Sequence, residues 1–118
     1  MTTPEILLVE DDDAVRLSLA ECLELEGWVV RTAADGAEAL AWLREGNRPR
    51  VVVLDLVMPR MNGEDLVGEI RGGPGTRDLK LVLMTGATPV EGRLPAADAL
   101  LVKPFSLSDL LAAIRPFL

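Results

Sequence analysis

Residues 51–55 of this 118-residue chain read Val-Val-Val-Leu-Asp, four apolar residues followed by a carboxylate. Continuous rather than alternating apolarity is typical of a strand that is covered on both faces, as strands are in parallel sheets. Four further short runs share this character, the second of them more weakly: Ile6–Val9, Trp28–Thr32, Leu81–Met84 and Ala99–Val102. The sequence therefore predicts five buried strands.

Segments with helical periodicity separate these strands, at Ala14–Glu26, Gly36–Glu45, Gly63–Arg71 and Leu107–Arg115. Residues that favour a helix N-cap stand before them: Asp12 or Asp13, Asp35, Asn62, and Ser106 with Asp109 three residues on. Glycines follow three of the helices, where a left-handed residue is commonly needed: Gly27, Gly46 and Gly72. The alternation predicts an α/β fold, in which right-handed parallel crossovers place helices on both faces of a five-stranded sheet.

Two details of the helices are expected to matter. The buried stripe of the first helix should contain Val15, Leu19, Cys22 and Leu23, which leaves Leu17 roughly opposite it and exposed. Between Met84 and Ala99 a further helix is expected, but prolines and a glycine interrupt the segment. The fourth helix should therefore be short or irregular.

Composition excludes several classes of protein. The apolar fraction of 49% and charged fraction of 26% are those of an ordinary globular protein, and the length suits one domain spanning residues 1–118, with no effector domain in this chain. A net charge of −7 argues against direct nucleic-acid binding. No apolar run is long enough to span a membrane, no secretory signal follows Met1, and one cysteine suits a reducing cytosol, so a cytoplasmic location is expected. The absence of histidine excludes imidazole chemistry by this chain alone.

Polar side chains follow four of the five predicted strands. Glu10 and Asp11 follow the first strand, Asp55 the third, Thr85 the fourth and Lys103 the fifth. The carboxyl ends of parallel strands share one edge of the sheet, which is where open α/β folds bind ligands. Taken singly, each residue is also explained as a strand end, a helix cap or a surface side chain. Together they predict one polar site.

The charge of this site calls for a proton or a cation. Carboxylates about 4 Å apart repel by about 1–4 kcal/mol, depending on the surroundings, and Lys103 is a single positive charge facing Glu10, Asp11 and Asp55. Oxygen ligands without imidazole or thiolate favour a hard ion, of which Mg²⁺ is the expected one. Asp55 is then placed as a carboxylate nucleophile of the kind that forms an aspartyl phosphate, with Thr85 and Lys103 to contact the phosphoryl oxygens.

Over its whole length the chain resembles the receiver domain of two-component response regulators. The resemblance is carried by four motifs in order: Leu8–Asp12 (LVEDD), Leu54–Gly63 (LDLVMPRMNG), Met84–Ala87 (MTGA) and Lys103–Phe105 (KPF). It implies a flavodoxin-like, doubly wound sheet with strand order 2-1-3-4-5. It also implies a phosphorylation-driven switch rather than an enzyme with a separate substrate, one that assists its own phosphorylation and slow dephosphorylation.

The same resemblance assigns roles to individual residues. Asp55 matches the phospho-acceptor, and Glu10 and Asp11 match the acidic pair that holds Mg²⁺ (with Mn²⁺ able to substitute), together with Asp55 and the backbone carbonyl of Val57. Thr85 and Lys103 match the hydroxyl and lysine that contact the phosphoryl group, and Lys103-Pro104 matches a cis peptide. The implied phosphodonor is a histidine kinase, a histidine phosphotransfer protein or a small phosphodonor, and the output partner is unknown.

The chain also departs from the family pattern. The aromatic residue expected three positions before the lysine is Leu100, so a ring rotation coupled to Thr85 is excluded. Val57 and Ala87 are apolar and cannot orient water, which predicts slow loss of the phosphoryl group. Leu17, which is expected to be exposed on the first helix, is a candidate contact for the kinase.

Three alternatives remain open. One is a pseudo-receiver that docks without being phosphorylated. Another is a phosphatase of the haloacid dehalogenase type, which would require a second acid where Val57 stands. The third is a flavin electron carrier, for which the chain has few aromatic residues.

Overall fold

Five parallel strands form the centre of the molecule in the computed structural model, which describes residues 4–57, 63–86 and 97–118. The strands are β1 (Ile6–Val9), β2 (Val30–Ala33), β3 (Val51–Asp55), β4 (Lys80–Thr85) and β5 (Ala99–Val102). The helices are α1 (Asp13–Leu25), α2 (Gly36–Arg44), α3 (Gly63–Gly72) and α4 (Leu107–Ile114), and a 3₁₀ turn at Arg115–Phe117 follows α4. The strand order β2-β1-β3-β4-β5 confirms the predicted flavodoxin-like α/β fold.

The three central strands, β1, β3 and β4, are almost wholly apolar because each face of the sheet is covered by a different pair of helices, whereas the edge strands β2 and β5 are only partly buried and do not match the prediction of five buried strands. Leu7, Val52 and Leu81 belong to a core cluster with residues of α2 and α3, whereas their neighbours Ile6, Val51 and Val82 pack with residues of α1 and α4. Every residue of β1 and β3 is buried. Each fully buried Val, Leu or Ile side chain contributes about 1.5–3 kcal/mol relative to exposure, so the central strands are firmly held.

Side-chain caps begin three of the helices as predicted. The carboxylates of Asp12 and Asp35 accept hydrogen bonds from the backbone amides three residues later, and Ser106 forms a reciprocal capping box with Asp109. Gly27 and Gly46 adopt the expected left-handed conformation after α1 and α2, with φ of 96° and 99°. Such caps satisfy backbone groups that the helix itself leaves without partners.

Two predictions about the helices were wrong. Val15 is 40% exposed because it lines an open cavity at the carboxyl ends of the strands, and the buried residues of α1, Ala20 and Leu23, lie farther along the helix. Gly72 is the last residue of α3 rather than a left-handed residue after it; the positive φ of 80° belongs to Gly75, since the chain continues through a further turn.

Some predicted features fall outside the described residues. These are the Asn62 cap and almost all of the interrupted segment in which a short or irregular fourth helix is expected, since residues 58–62 and 87–96 are not described. Among the described residues, no helix combines the length and apolarity that crossing a membrane requires.

Candidate functional site

The acidic residues after β1 have two roles: some belong to the site and another caps α1. Glu10 is only 2% exposed, and its Oε2 accepts a hydrogen bond from the backbone amide of Asp12 (3.1 Å). The Asp12 carboxylate caps α1 by accepting from the amide of Val15 (3.0 Å). Asp11 is exposed between them. Glu10 and Asp11 are therefore the residues of this run that join the carboxylate cluster.

Asp55 ends β3 and is 5% exposed. One carboxylate oxygen, Oδ1, accepts from the backbone amide of Val57 at 2.9 Å, and the other, Oδ2, pairs with Nζ of Lys103 at 2.5 Å. Lys103 follows β5, and its backbone amide donates to the carbonyl of Thr85 at 2.6 Å. The peptide between Lys103 and Pro104 is cis, as the resemblance implied.

The start of α3 packs directly behind Asp55. The amide of Gly63 donates to the carbonyl of Leu56 (3.0 Å), and a Cβ at Gly63 would lie 2.5 Å from the Leu56 Cα and 2.6 Å from the Asp55 carbonyl oxygen. Only glycine permits this approach, so Gly63 determines how closely α3 supports the end of β3.

Glu10, Asp11 and Asp55 form one carboxylate cluster. Each offers an oxygen, and these oxygens all lie within 4.8 Å of one another. Mg²⁺ and Mn²⁺ bind oxygen ligands at about 2 Å, usually with one or two carboxylates and several waters. Because the donor set is entirely oxygen and the spacing is close to that of ligands around one ion, the cluster fits a hard divalent cation.

The cluster opens into a cavity of about 720 Å³ with a mixed lining. Its polar wall includes Glu10, Asp11, Asp55 and Lys103. Its apolar residues come from α1, from β4 and from the loops after β3 and β5: Val15, Leu19, Val57, Met84, Pro104 and Phe105. A cavity lined by apolar residues on one side and charged residues on the other suits a ligand or partner with one charged group attached to an apolar part.

Thr85 and Val57 occupy different positions relative to this cavity. Thr85 ends β4, one residue beyond Met84, the partner of Asp55 in the sheet register, and is 8% exposed; it is not among the described residues that line the cavity. Val57 is 77% exposed at the cavity mouth. The structure thus brings Asp55, Lys103 and the two acids together and leaves Thr85 beside them on the neighbouring strand.

Burial dominates the electrostatics of the site. It raises the pKa of the Glu10 carboxyl from 4.5 to about 7, and a hydrogen bond with Asp11 and the charge of Asp55 act in the same direction. Partial burial works to lower the pKa of Lys103, but the hydrogen bond and negative charge of Asp55 outweigh it and raise that pKa. The lysine is therefore cationic at neutral pH, and Glu10 holds a proton more readily than an exposed glutamate does.

Sequence reasoning missed two features of the site. One is the apolar part of the cavity, because Val15 and Leu19 were expected in the core. The other is Arg16, whose Nη1 donates to the Glu10 carbonyl at 2.9 Å. The available signal for Arg16 was a basic residue within the first two turns of a helix that follows four consecutive acids.

Known proteins are similar to this chain in both sequence and fold. A family model for the response regulator receiver domain matches residues 6–115. The chain is 42% identical over 117 residues to the response regulator MprA of Mycobacterium sp. (strain KMS), covering 96% of this chain and 50% of that protein. The chain spans about half the length of the curated relatives it matches.

Solved structures agree closely with the architecture. The chemotaxis response regulator CheY4 of Vibrio cholerae has a TM-score of 0.88 at 32% identity, covering 99% of this chain and 100% of that one. The response regulator TrrA of Thermotoga maritima, solved in complex with Mg²⁺-BeF, has a TM-score of 0.86 at 35% identity, covering 98% of this chain and 100% of that one.

Proposed function

This chain belongs to the response regulator receiver domains, the regulatory domains of two-component signalling, and from that premise we propose that Asp55 is its phospho-acceptor. The supporting observation is the position of Asp55: a buried carboxylate at the end of a central strand, within the carboxylate cluster and paired with Lys103. A nucleophile needs a fixed position and a cation beside the transferred group, and this arrangement offers both.

We propose that Glu10, Asp11 and Asp55 hold Mg²⁺, that the backbone carbonyl of Val57 is a further ligand, and that Mn²⁺ is an acceptable substitute. The spacing of the three carboxylates and their all-oxygen donor set support this assignment. When bound, the ion would neutralise negative charge on the phosphoryl oxygens. The raised pKa of Glu10 means that its proton must leave before the carboxylate can serve as a ligand.

The transfer step follows from the contacts of Asp55. A carboxylate oxygen attacks phosphorus as the bond from phosphorus to the donor nitrogen breaks, and the leaving imidazole takes a proton from solvent. The Lys103 ammonium then moves from Oδ2 to a phosphoryl oxygen, which it holds as a point charge. The amide of Val57, which donates to Oδ1 in this structure, adds a second donor beside the new phosphoryl group. The domain thereby assists its own phosphorylation.

The switch is a charge change beside Thr85. The phosphoryl group raises the negative charge at Asp55 from one to about 1.5–2 units, which favours any conformation that brings a donor to it. The Thr85 hydroxyl lies on the adjacent strand, and the Thr85 carbonyl already accepts from the Lys103 amide. Leu100 packs half-buried against the core, so the readout passes through Thr85 and Lys103 rather than through an aromatic ring.

We propose a histidine kinase or histidine phosphotransfer protein as the donor, docking over the cavity mouth and α1. Val15 at the cavity and Leu17 on the outer side of α1 are 40% and 61% exposed. Val15 lines the same cavity as the carboxylate cluster, and this apolar surface suits a partner that must bring a phosphohistidine to Asp55. Residues 1–118 are then the receiver unit of this signalling protein.

The test is an intact-mass measurement after incubation with acetyl phosphate, with Mg²⁺ and with chelator. One added phosphoryl group is expected with Mg²⁺, and none with chelator or in Asp55→Asn. Asp78→Asn, an exposed aspartate before β4 at the opposite edge of the sheet, is the matched control and should label like the parent.

A second arm uses a phosphohistidine donor, because some acceptors take the phosphoryl group only from a protein. Labelling that persists in Asp55→Asn would refute the assigned acceptor. No labelling from either donor, together with no binding of Mg²⁺, would refute phosphorylation and favour a docking module. Turnover of simple phosphate esters would instead favour a phosphatase.

A further inference from the structure

Arg16 contacts the acidic loop through both terminal nitrogens of its guanidinium. It lies on α1, its side chain is 17% exposed, and it is not among the described residues that line the cavity. Its Nη1 donates to the backbone carbonyl of Glu10 at 2.9 Å, and its Nη2 pairs with Oδ1 of Asp13 at 2.5 Å. One guanidinium therefore joins the first and the last residue of the four-acid run.

The contact with the Glu10 carbonyl bears directly on the carboxylate cluster. That carbonyl belongs to the peptide between Glu10 and Asp11, so fixing it restrains the backbone from which both side chains project. Two other hydrogen bonds of Glu10 do not restrain this carbonyl: its amide donates to the Ala33 carbonyl, and its carboxylate accepts from the Asp12 amide. Since adjacent carboxylates repel, a loop without this restraint would spread them apart.

We propose that Arg16 is a positioning residue for the divalent-cation site: its two-pronged contact holds the Glu10-Asp11 peptide so that both carboxylates converge with Asp55. The inference rests on the proposed cation site and adds to it a residue that touches neither the ion nor the phosphoryl group. Arginine suits this task because its planar fork presents two nitrogens in a fixed geometry, which lysine cannot do.

The test is binding of Mn²⁺ alone, followed by electron paramagnetic resonance without any phosphodonor, in the parent and in Arg16→Met. Loss of a residue that orients metal ligands commonly weakens affinity by about 10–100-fold. We expect Arg16→Met to bind about tenfold more weakly than the parent, with Arg16→Lys between the two, because lysine keeps the charge but has a single nitrogen.

Two variants separate positioning from other effects. Arg115→Met removes an arginine of comparable size that pairs with Glu26 on the surface (2.7 Å), and it should bind Mn²⁺ like the parent. Asp13→Asn removes one exposed charge beside the site but keeps a side-chain oxygen that can accept from Nη2 of Arg16, so both contacts of the guanidinium remain and its affinity should stay within about twofold of the parent's.

Thermal unfolding in chelator supplies the readout for a purely structural role. If Arg16 only stabilised the fold, Arg16→Met would unfold at a lower temperature yet bind Mn²⁺ like the parent when folded, and the inference would be overturned. Should Arg16→Met not fold, parent-like affinity in Arg16→Lys would overturn it equally. No saturable binding by the parent would refute the cation site itself, and the inference with it.

Discussion

The buried carboxylate of Glu10 makes the site costly to fold without a cation, and Glu10→Gln tests this directly. Burial and the neighbouring carboxylates raise the pKa of Glu10 from 4.5 to about 7 in the folded protein. The folded state therefore holds a proton that the unfolded chain releases near pH 4.5. The Glu10 contribution to stability is fully present below pH 4.5 and is lost as pH rises towards 7, above which it changes no further.

The size of the effect follows from the pKa difference. A rise from 4.5 to about 7 corresponds, at about 1.36 kcal/mol per pKa unit, to about 3 kcal/mol of folding free energy lost across that range. Glutamine has the same shape, stays neutral and keeps an oxygen for the Asp12 amide. In chelator, Glu10→Gln should match the parent near pH 4.5 and be more stable by about 3 kcal/mol at pH 8.

The assay is urea unfolding followed by circular dichroism at several pH values between 4.5 and 8, in chelator and in Mg²⁺. Mg²⁺ at about 100 times its dissociation constant should stabilise the parent at pH 8 by about 2.7 kcal/mol, and it should stabilise Glu10→Gln less. Glu21→Gln, at an exposed position of α1, is the matched control. If the stability of Glu10→Gln and of the parent ran parallel across this pH range, the electrostatic account of the site would be refuted.

Three further predictions concern the packing of α3 against β3, the lifetime of the phosphoryl group and the docking of the phosphodonor. Gly63→Ala should destabilise the fold by about 1–3 kcal/mol in urea unfolding, because the new methyl group would lie 2.5 Å from the Leu56 backbone. Gly68→Ala, which has open space around it, should be neutral or stabilising, and equal effects of the two variants would contradict the close approach at Gly63. Val57→Asn should speed loss of the phosphoryl group severalfold in a time course of intact mass, since an amide beside the site can orient water; an unchanged rate would count against a role for Val57. Leu17→Glu should slow transfer from a phosphohistidine donor but not from acetyl phosphate. Leu25→Glu, at an 85% exposed position near the other end of α1, should slow transfer from neither donor, and equal transfer to both variants would exclude Leu17 from the docking surface.

Most of the fold was predictable because its signals are local. A strand buried on both faces must be apolar throughout, and the runs at Ile6–Val9 and Ala99–Val102 were located to the residue. Caps are local as well, since the Asp35 side chain bonds to an amide only three residues away. The strand order came from the resemblance to a known family, because apolar runs do not state which strands are neighbours.

The errors arose where burial depends on distant parts of the chain. A helical stripe identifies which residues of α1 share a face, but Val15 is exposed because it lines the cavity instead of packing in the core. Similarly, a glycine near a helix end indicates a break without specifying which glycine takes the left-handed conformation, and here Gly75 does so instead of Gly72. In both cases the packing of other elements decided the outcome.

Local and long-range information also determine different properties of the site: the first sets which groups are present, and the second sets their distances and pKa values. The sequence by itself determined which groups are present and that they stand at one edge of the sheet, because strand ends are encoded in nearby residues. Only the tertiary structure decided that Glu10, Asp11 and Asp55 lie within 4.8 Å of one another, that Lys103 pairs with Asp55, and that Arg16 donates to the Glu10 carbonyl. Distances and desolvation set the pKa of Glu10 and the affinity for a cation, and both depend on residues that are remote in sequence and are brought together by the order of the strands.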